Sequence, residues 1–186
     1  MLTFKQIKTA IIDSLSPELL TTQYRAGLSP DDPVETGHCA VASEAFYYLA
    51  GGKEAGFMPV VCGYSTQGDD VLIFDPDARA KAEAKGAARE THWWIKGPMG
   101  GVRGAGDIFD VTAGQYPFAF PYENGRNTGF MQPQQKPSKR AQVVMDRVVQ
   151  KLGAQNLADY RRKQIADFQK AQRKAPKHTK TKQPRP

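Results

Sequence analysis

Apolar residues at helical spacing open the chain. Phe4, Ile7, Ile11 and Leu15 share one face while Lys5, Lys8 and Asp13 lie elsewhere on the circumference, which predicts a docking helix over residues 3–15. Ser16, Pro17 and Glu18 combine an N-cap, a first-turn proline and an acidic first turn, so a second short helix is predicted from residue 17 to about 24. Ser29-Pro30-Asp31-Asp32-Pro33 then breaks regular structure. From Cys39 the helical period returns, with Ala42, Ala45, Phe46 and Leu49 on one face and Gly51-Gly52 as the stop. After that the period changes. Residues 57–64 form a mostly apolar run of the kind covered on both faces of a sheet, and Gln67-Gly68-Asp69-Asp70 reads as a turn into a second strand over 71–74.

Residues 76–90, rich in Ala, Lys, Arg and Glu, predict an exposed helix or a mobile insertion. Strands are predicted at 92–96 and 108–111, joined by the glycine-rich stretch 97–106, and antiparallel pairing would set His92 beside Asp110. The aromatic, proline- and glycine-rich stretch 116–130 lacks periodicity and predicts a loop packed on the body, forming one wall of a cleft. Ser138 opens a further helix with Ala141, Val144, Met145, Val148 and Leu152 as its buried stripe and Gly153 at its end. A last helix over about 157–173 carries Leu157, Tyr160, Ile165 and Phe168 on one face. The class is α+β: N-terminal helices packed on a small antiparallel sheet, with C-terminal helices. Residues 1–153 are expected to form the body and 154–175 a basic helix. Residues 176–186, with nothing apolar to bury, are expected to be a disordered basic tail.

Charge sharpens this division. Residues 1–135 hold 11 Lys/Arg against 16 Asp/Glu, a net of −5, whereas 136–186 hold 15 against 3, a net of +12. The overall +7 therefore belongs to the C-terminal quarter. Lysines and arginines without interleaved aromatics imply at most weak, non-specific attraction to nucleic acid through the tail, or docking on an acidic partner. Two cysteines make no disulfide framework, and reduced thiols are expected. Residues 1–5 lack a signal-peptide core, and no stretch approaches the ~20 apolar residues that span a bilayer. The expectation is a soluble, cytoplasmic protein with no membrane partner.

Cys39 opens a buried helix, where unpaired backbone N–H groups and the positive end of the helix dipole favour a thiolate. Such a nucleophile needs a base, and the base needs an orienting acceptor. His178 lies in the tail, leaving His92 and His38 as bases. His38 directly precedes Cys39, and sequence neighbours at a loop-to-helix entry rarely point at each other, so His92 is preferred. Asp110, between Phe109 and Val111, sits where an unpaired carboxylate would be costly, which suits it to orient an imidazole. Asp107 is the fallback. The expected series is Cys39, His92, Asp110.

The residues Gly37-His38-Cys39-Ala40-Val41-Ala42, Leu49-Ala50-Gly51-Gly52, Thr91-His92-Trp93-Trp94 and Asp110-Val111-Thr112-Ala113-Gly114-Gln115-Tyr116 resemble the YunG-like family of small bacterial and phage proteins, whose form is GxC…GG…HxW…DLTxxQF. The order of a cysteine at a helix start, then a histidine and an aspartate on strands, is also similar to papain-like and transglutaminase-like enzymes. The resemblance covers roughly residues 17–149 and departs at Val111, where leucine is usual, and in the insertion at 76–90. It implies a papain-like or transglutaminase-like fold and a thiol-protease-like triad, without supplying a substrate.

The resulting expectation is a cysteine-dependent hydrolase or acyltransferase acting on an amide, isopeptide or thioester bond of a peptide or protein. Gln23, preceding the cysteine, is a candidate oxyanion-hole residue beside the backbone N–H of Cys39, and Gln115 is expected to fix a turn. The competing readings are a non-catalytic binding module, with Trp93, Trp94 and the 116–130 aromatics lining its groove, and a nucleic-acid-associated factor working through the tail. Cys39, Cys62, His38 and His92 lack zinc-ligand spacing and the 97–106 glycines form no phosphate loop, so no metal or other cofactor is called for.

Overall fold

The computed structural model describes residues 1–67, 71–98, 107–130 and 136–174 of the chain. The helices are α1 (Phe4–Ile12), α2 (Thr22–Ala26), α3 (Cys39–Leu49), α4 (Pro76–Ala84), α5 (Lys139–Leu152) and α6 (Ala154–Lys174). The strands are β1 (Met58–Gln67), β2 (Val71–Ile73), β3 (Ala88–Lys96), β4 (Ile108–Phe109) and β5 (Arg126–Asn127), all antiparallel in the order β2-β1-β3-β4, with β5 on β1. The chain is α+β, with helices packed on a small antiparallel sheet.

Local chemistry sets most boundaries. Thr3 and Gln6 form a reciprocal capping box at the start of α1. The segment after Pro17 differs from the single helix predicted: a short 3-10 turn (Pro17–Leu19) ends at Leu20, whose extended backbone breaks the helix, and Thr21 caps α2 afresh. Gly51 and Gly153, both at positive φ, terminate α3 and α5 as the sequence suggests. Within the 76–90 stretch, α4 occupies only Pro76–Ala84, and Ala88 already belongs to β3. The turn at 68–70, most of the glycine-rich connection and the tail from residue 175 lie outside the described residues.

The sheet separates two apolar clusters. On one side α1, α3, α5 and α6 bring together Ile7, Ile11, Phe46, Val144, Val148, Leu157 and Tyr160 against Ile95 and Val111 of the sheet region. The C-terminal helix thus shares the core of the body instead of standing apart from it. Buried Glu44 of α3 accepts from Ser138 N and Oγ at 2.8 and 2.6 Å, which caps α5 and pins it to α3. Arg147 of α5 clasps the chain beyond α1 through Ser14 O, Ser16 Oγ and Glu18. On the other side, Val60, Cys62 and Tyr64 of β1 alternate onto one face with Trp94 of β3, and Phe120 covers them. This double coverage explains why β1 is buried along most of its length. Among the described residues no helix is long and apolar enough to cross a membrane.

Candidate functional site

Among the described residues β4 joins β3 only at Ile95 and Lys96, which leaves the edge of β3 beside Thr91 and Trp93 without a strand partner. Helix α3 runs along it. Cys39 Sγ lies 3.4 Å from the Thr91 carbonyl, and one turn later Ser43 Oγ donates to the Trp93 carbonyl at 2.9 Å. The two side chains satisfy strand carbonyls that β4 leaves free.

His92 projects onto the other cluster, opposite Cys62 in register. Its Nε2 is 2.7 Å from Asp110 Oδ2. The pairing expected from the sequence is present, but not by strand register: β4 stops at Phe109, and Asp110 reaches the imidazole from the turn that follows. That turn is built around the carboxylate. Thr112 N donates to Oδ1 at 3.0 Å, and Tyr122 Oη donates to Oδ2 at 2.8 Å. Each oxygen of this buried group is thus satisfied, as a carboxylate out of water requires. Asp107 is exposed and belongs to the turn, where its carbonyl accepts from Gly97 N.

Gln115 does more than fix its turn. Its Nε2 donates to Thr112 O at 3.1 Å and also lies 3.3 Å from His92 Nδ1. An amide nitrogen has no lone pair to offer, so Nδ1 is the acceptor and Nε2 carries the proton given to Asp110. The basic atom of the ring is therefore Nδ1. The signal in the sequence was the spacing of Gln115 from Asp110. Tyr122 left none, since it belongs to an aperiodic stretch.

Aromatic rings enclose the imidazole: Phe120 at 4.4 Å, Tyr116 edge-on at 4.9 Å and Trp94 stacked at 5.8 Å between centroids. Tyr116 Oη pairs with Tyr64 Oη at 3.1 Å, and burial raises both phenols above their ordinary range, Tyr64 to about 12. Trp94 is 0% exposed, so it forms a wall of the histidine pocket and offers no surface to a substrate. Its Nε1 lacks a hydrogen-bond partner among the described residues. Gly125 packs directly on this ring. A Cβ there would overlap Trp94 Cζ2 and lie 2.6 Å from Val60 Cγ1. Gly125→Ala is expected to cost about 1–3 kcal/mol and to push the indole off His92; urea denaturation measures the first effect and near-ultraviolet circular dichroism the second.

Three other expectations are corrected by the packing. Cys39 is 8% exposed, and removal from water pushes its thiol up to about 12. The backbone N–H groups of Trp93 and Ala40 oppose that shift, while the Asp110 charge adds to it. Desolvation outweighs the helix N-terminus, so this arrangement holds a thiol where a thiolate was expected. Among the described residues no hydrogen bond joins Cys39 to His92, and the expected series is closed only at its His92–Asp110 end. His38 is buried with its ring nitrogens 3.1 Å from Thr36 O and 3.0 Å from Ser16 O, which fastens the loop entry and leaves neither nitrogen for catalysis. Gln23 is exposed on α2, and it is its neighbour Tyr24 that turns toward the site, against Gly37.

A cavity of about 620 Å³, lined by Tyr47, Tyr48, Phe57, Phe130 and Arg161, lies toward the far end of α3. Eight residues of helix separate Tyr47 from Cys39, roughly 12 Å along the axis. The aromatic stretch does supply a cleft wall through Phe130, but the rings nearest the dyad, Tyr116, Phe120 and Tyr122, are packed on it. Among the described residues no group of three His, Cys, Asp or Glu side chains is placed to hold a metal ion. In comparisons with family models, curated proteins and solved structures, nothing matches this chain.

Proposed function

We propose that the chain is a cysteine-dependent hydrolase or acyltransferase, in which Cys39 attacks the carbonyl of an amide, isopeptide or thioester bond in a peptide or protein. The observation that carries this reading is the buried His92–Asp110 pair at 2.7 Å, oriented so that His92 Nδ1 is the proton acceptor, beside a helix that opens with a cysteine. In the reaction the Cys39 proton passes to Nδ1 as the sulfur–carbon bond forms. The imidazolium, stabilised by Asp110, then protonates the departing amine or thiol, and water or an amine resolves the acyl-enzyme. The first turn of α3 has N–H groups without intrahelical partners, and the reading assigns that of Cys39 to the oxyanion. Gln115 has to yield Nδ1 before the proton moves. The resemblance to YunG-like and papain-like or transglutaminase-like proteins supports the same roles.

A second reading, a non-catalytic binding module on the same scaffold, is favoured by one observation: the thiol is covered and bonded to the Thr91 carbonyl. Iodoacetamide labelling between pH 6 and 9, followed by peptide mass spectrometry, separates the two. An isolated thiol raised to about 12 ionises in proportion to hydroxide, so its labelling climbs about tenfold per pH unit throughout this range. A thiolate formed by proton transfer to His92 labels at a nearly level rate, and His92→Ala restores the climb. A level profile for Cys39, against a climbing one for Cys62, is the expected result; a climbing profile for both removes the nucleophile.

A further inference from the structure

Between buried Leu20 and buried His38 the chain runs over the surface, and most of its residues are exposed. Its two ends are held side by side, because the ring that enters α3 bonds back to Ser16 O. Arg25 grips Pro17 O, Glu18 O and Leu20 O, so its hydrogen bonds stay at the base of the same excursion. Ser29 N to Asp32 closes a turn within it. Among the described residues one hydrogen bond ties this span to the sheet, from Tyr24 Oη to the Glu90 carboxylate of β3.

The placement of that contact matters. Glu90 lies two residues before His92, on the same face of β3. The Tyr24 ring lies against Gly37, which takes φ +74°, and a Cβ there would stand 3.3 Å from both Tyr24 Cδ1 and Leu20 Cδ2. A side chain at 37 would therefore be strained and would crowd Tyr24 from its seat. Farther along the span, Glu35 packs on Gly114, in the turn that carries Gln115. The span thus touches both sides of the site: β3 before His92, and the turn after Asp110. Tyr24 remains 40% exposed, at the outer surface of this closure. Burial and the adjacent Glu90 carboxylate hold its phenol above the usual range, so it stays a donor at neutral pH.

We propose that residues 21–37 form a lid over Cys39, latched shut by the Tyr24–Glu90 hydrogen bond, and that unlatching admits the substrate. The proposal rests on Cys39 being the nucleophile of the preceding section and adds how the site is regulated. It accounts for a reactive group kept from solvent. Motion of a lid is a population change, so its opening constant multiplies the rate at which any reagent reaches the sulfur, at every pH alike.

The latch is a single hydrogen bond to a carboxylate near the surface, and Tyr24→Phe or Glu90→Gln removes or weakens it without emptying a buried site. In the full chain, each variant is expected to raise the iodoacetamide labelling rate of Cys39 by about 3- to 10-fold and to leave Cys62 unchanged, with the double variant no faster than the faster single one. An unchanged Cys39 rate overturns the lid and leaves the proposed chemistry standing. Parallel acceleration of both cysteines means general loosening and also overturns it. Acceleration of Cys39 alone, with a labelling profile that climbs about tenfold per pH unit, supports the lid while removing the nucleophile. Rate and profile thus report the two ideas separately.

Discussion

Asp110→Ala is expected to destabilise the protein by about 3–5 kcal/mol, which for a chain of this length corresponds to a fall in Tm of very roughly 10 °C. The carboxylate is buried and accepts from His92 Nε2, Thr112 N and Tyr122 Oη, so its removal strands three donors in an environment closed to water. Asp110→Asn should cost less, about 1–3 kcal/mol, because it retains the volume and one oxygen. It still has to turn an NH₂ toward one side. Facing the imidazole, that group meets an N–H and the Tyr122 hydroxyl; facing Thr112, it meets the backbone N–H. In the first case His92 is driven to its other tautomer, and the proton then sits on Nδ1, where a general base must have a lone pair. The asparagine variant should therefore fold and yet lose at least about a hundredfold of Cys39 labelling at neutral pH. Urea denaturation and labelling on the same preparation check both halves. A variant that is folded and labels at the wild-type rate would show that Asp110 only builds the turn.

Phe46→Ala is the corresponding test of the core, with an expected loss of about 3–5 kcal/mol. Phe46 is 0% exposed and sits among the rings of Phe4, Phe57 and Phe109, at centroid distances of 5.1, 5.6 and 5.5 Å. Truncation loses the transfer free energy of the ring, leaves a cavity between α1, α3 and the sheet, and removes three aromatic contacts, which places it toward the upper end of that range. Phe46→Leu, which fills most of the volume, should cost less than half as much, and Val143→Ala, on the exposed face of α5, less than about 0.5 kcal/mol. Denaturant midpoints at constant slope give all three. The consequence reaches the site, because Phe109 is the residue before Asp110. When the stacked Phe46 ring is lost, Phe109 keeps Phe4 at 4.9 Å and Phe57 at 5.5 Å but gains a void on its third side, so β4 shifts and the His92–Asp110 pair should loosen with it.

The stripes of α1, α3, α5 and α6 follow from periodicity, although α1 ends at Ile12, short of the predicted residue 15, and α6 begins at Ala154, before the predicted residue 157. Thr3 and Ser138 cap, Gly51 and Gly153 stop, and the apolar stripes face inward. The two long strands were legible in the same way, although β3 begins earlier than its apolar residues suggest, because Ala88 and Arg89, both exposed, and half-buried Glu90 pair with β1. The candidate dyad was legible through cost: a lone carboxylate between apolar neighbours needs a partner, and His92 was the histidine available in a strand. The break at Leu20 was not, since nothing local there forbids a helix.

What the sequence determined by itself is therefore what depends on spacing within a few residues: the long helices and strands, their buried faces, and the candidate site residues. Tertiary structure alone decided the surroundings of those residues. Burial pushes the Cys39 thiol up to about 12, and its hydrogen-bond partner, Thr91 O, lies 52 residues away along the chain. Tyr122 and Gln115 reach the dyad, and Tyr24 reaches Glu90, through turns whose course is set by packing. Desolvation is a property of the whole environment around an atom, summed over segments remote in sequence, and a local pattern of apolar and polar residues contains no record of it.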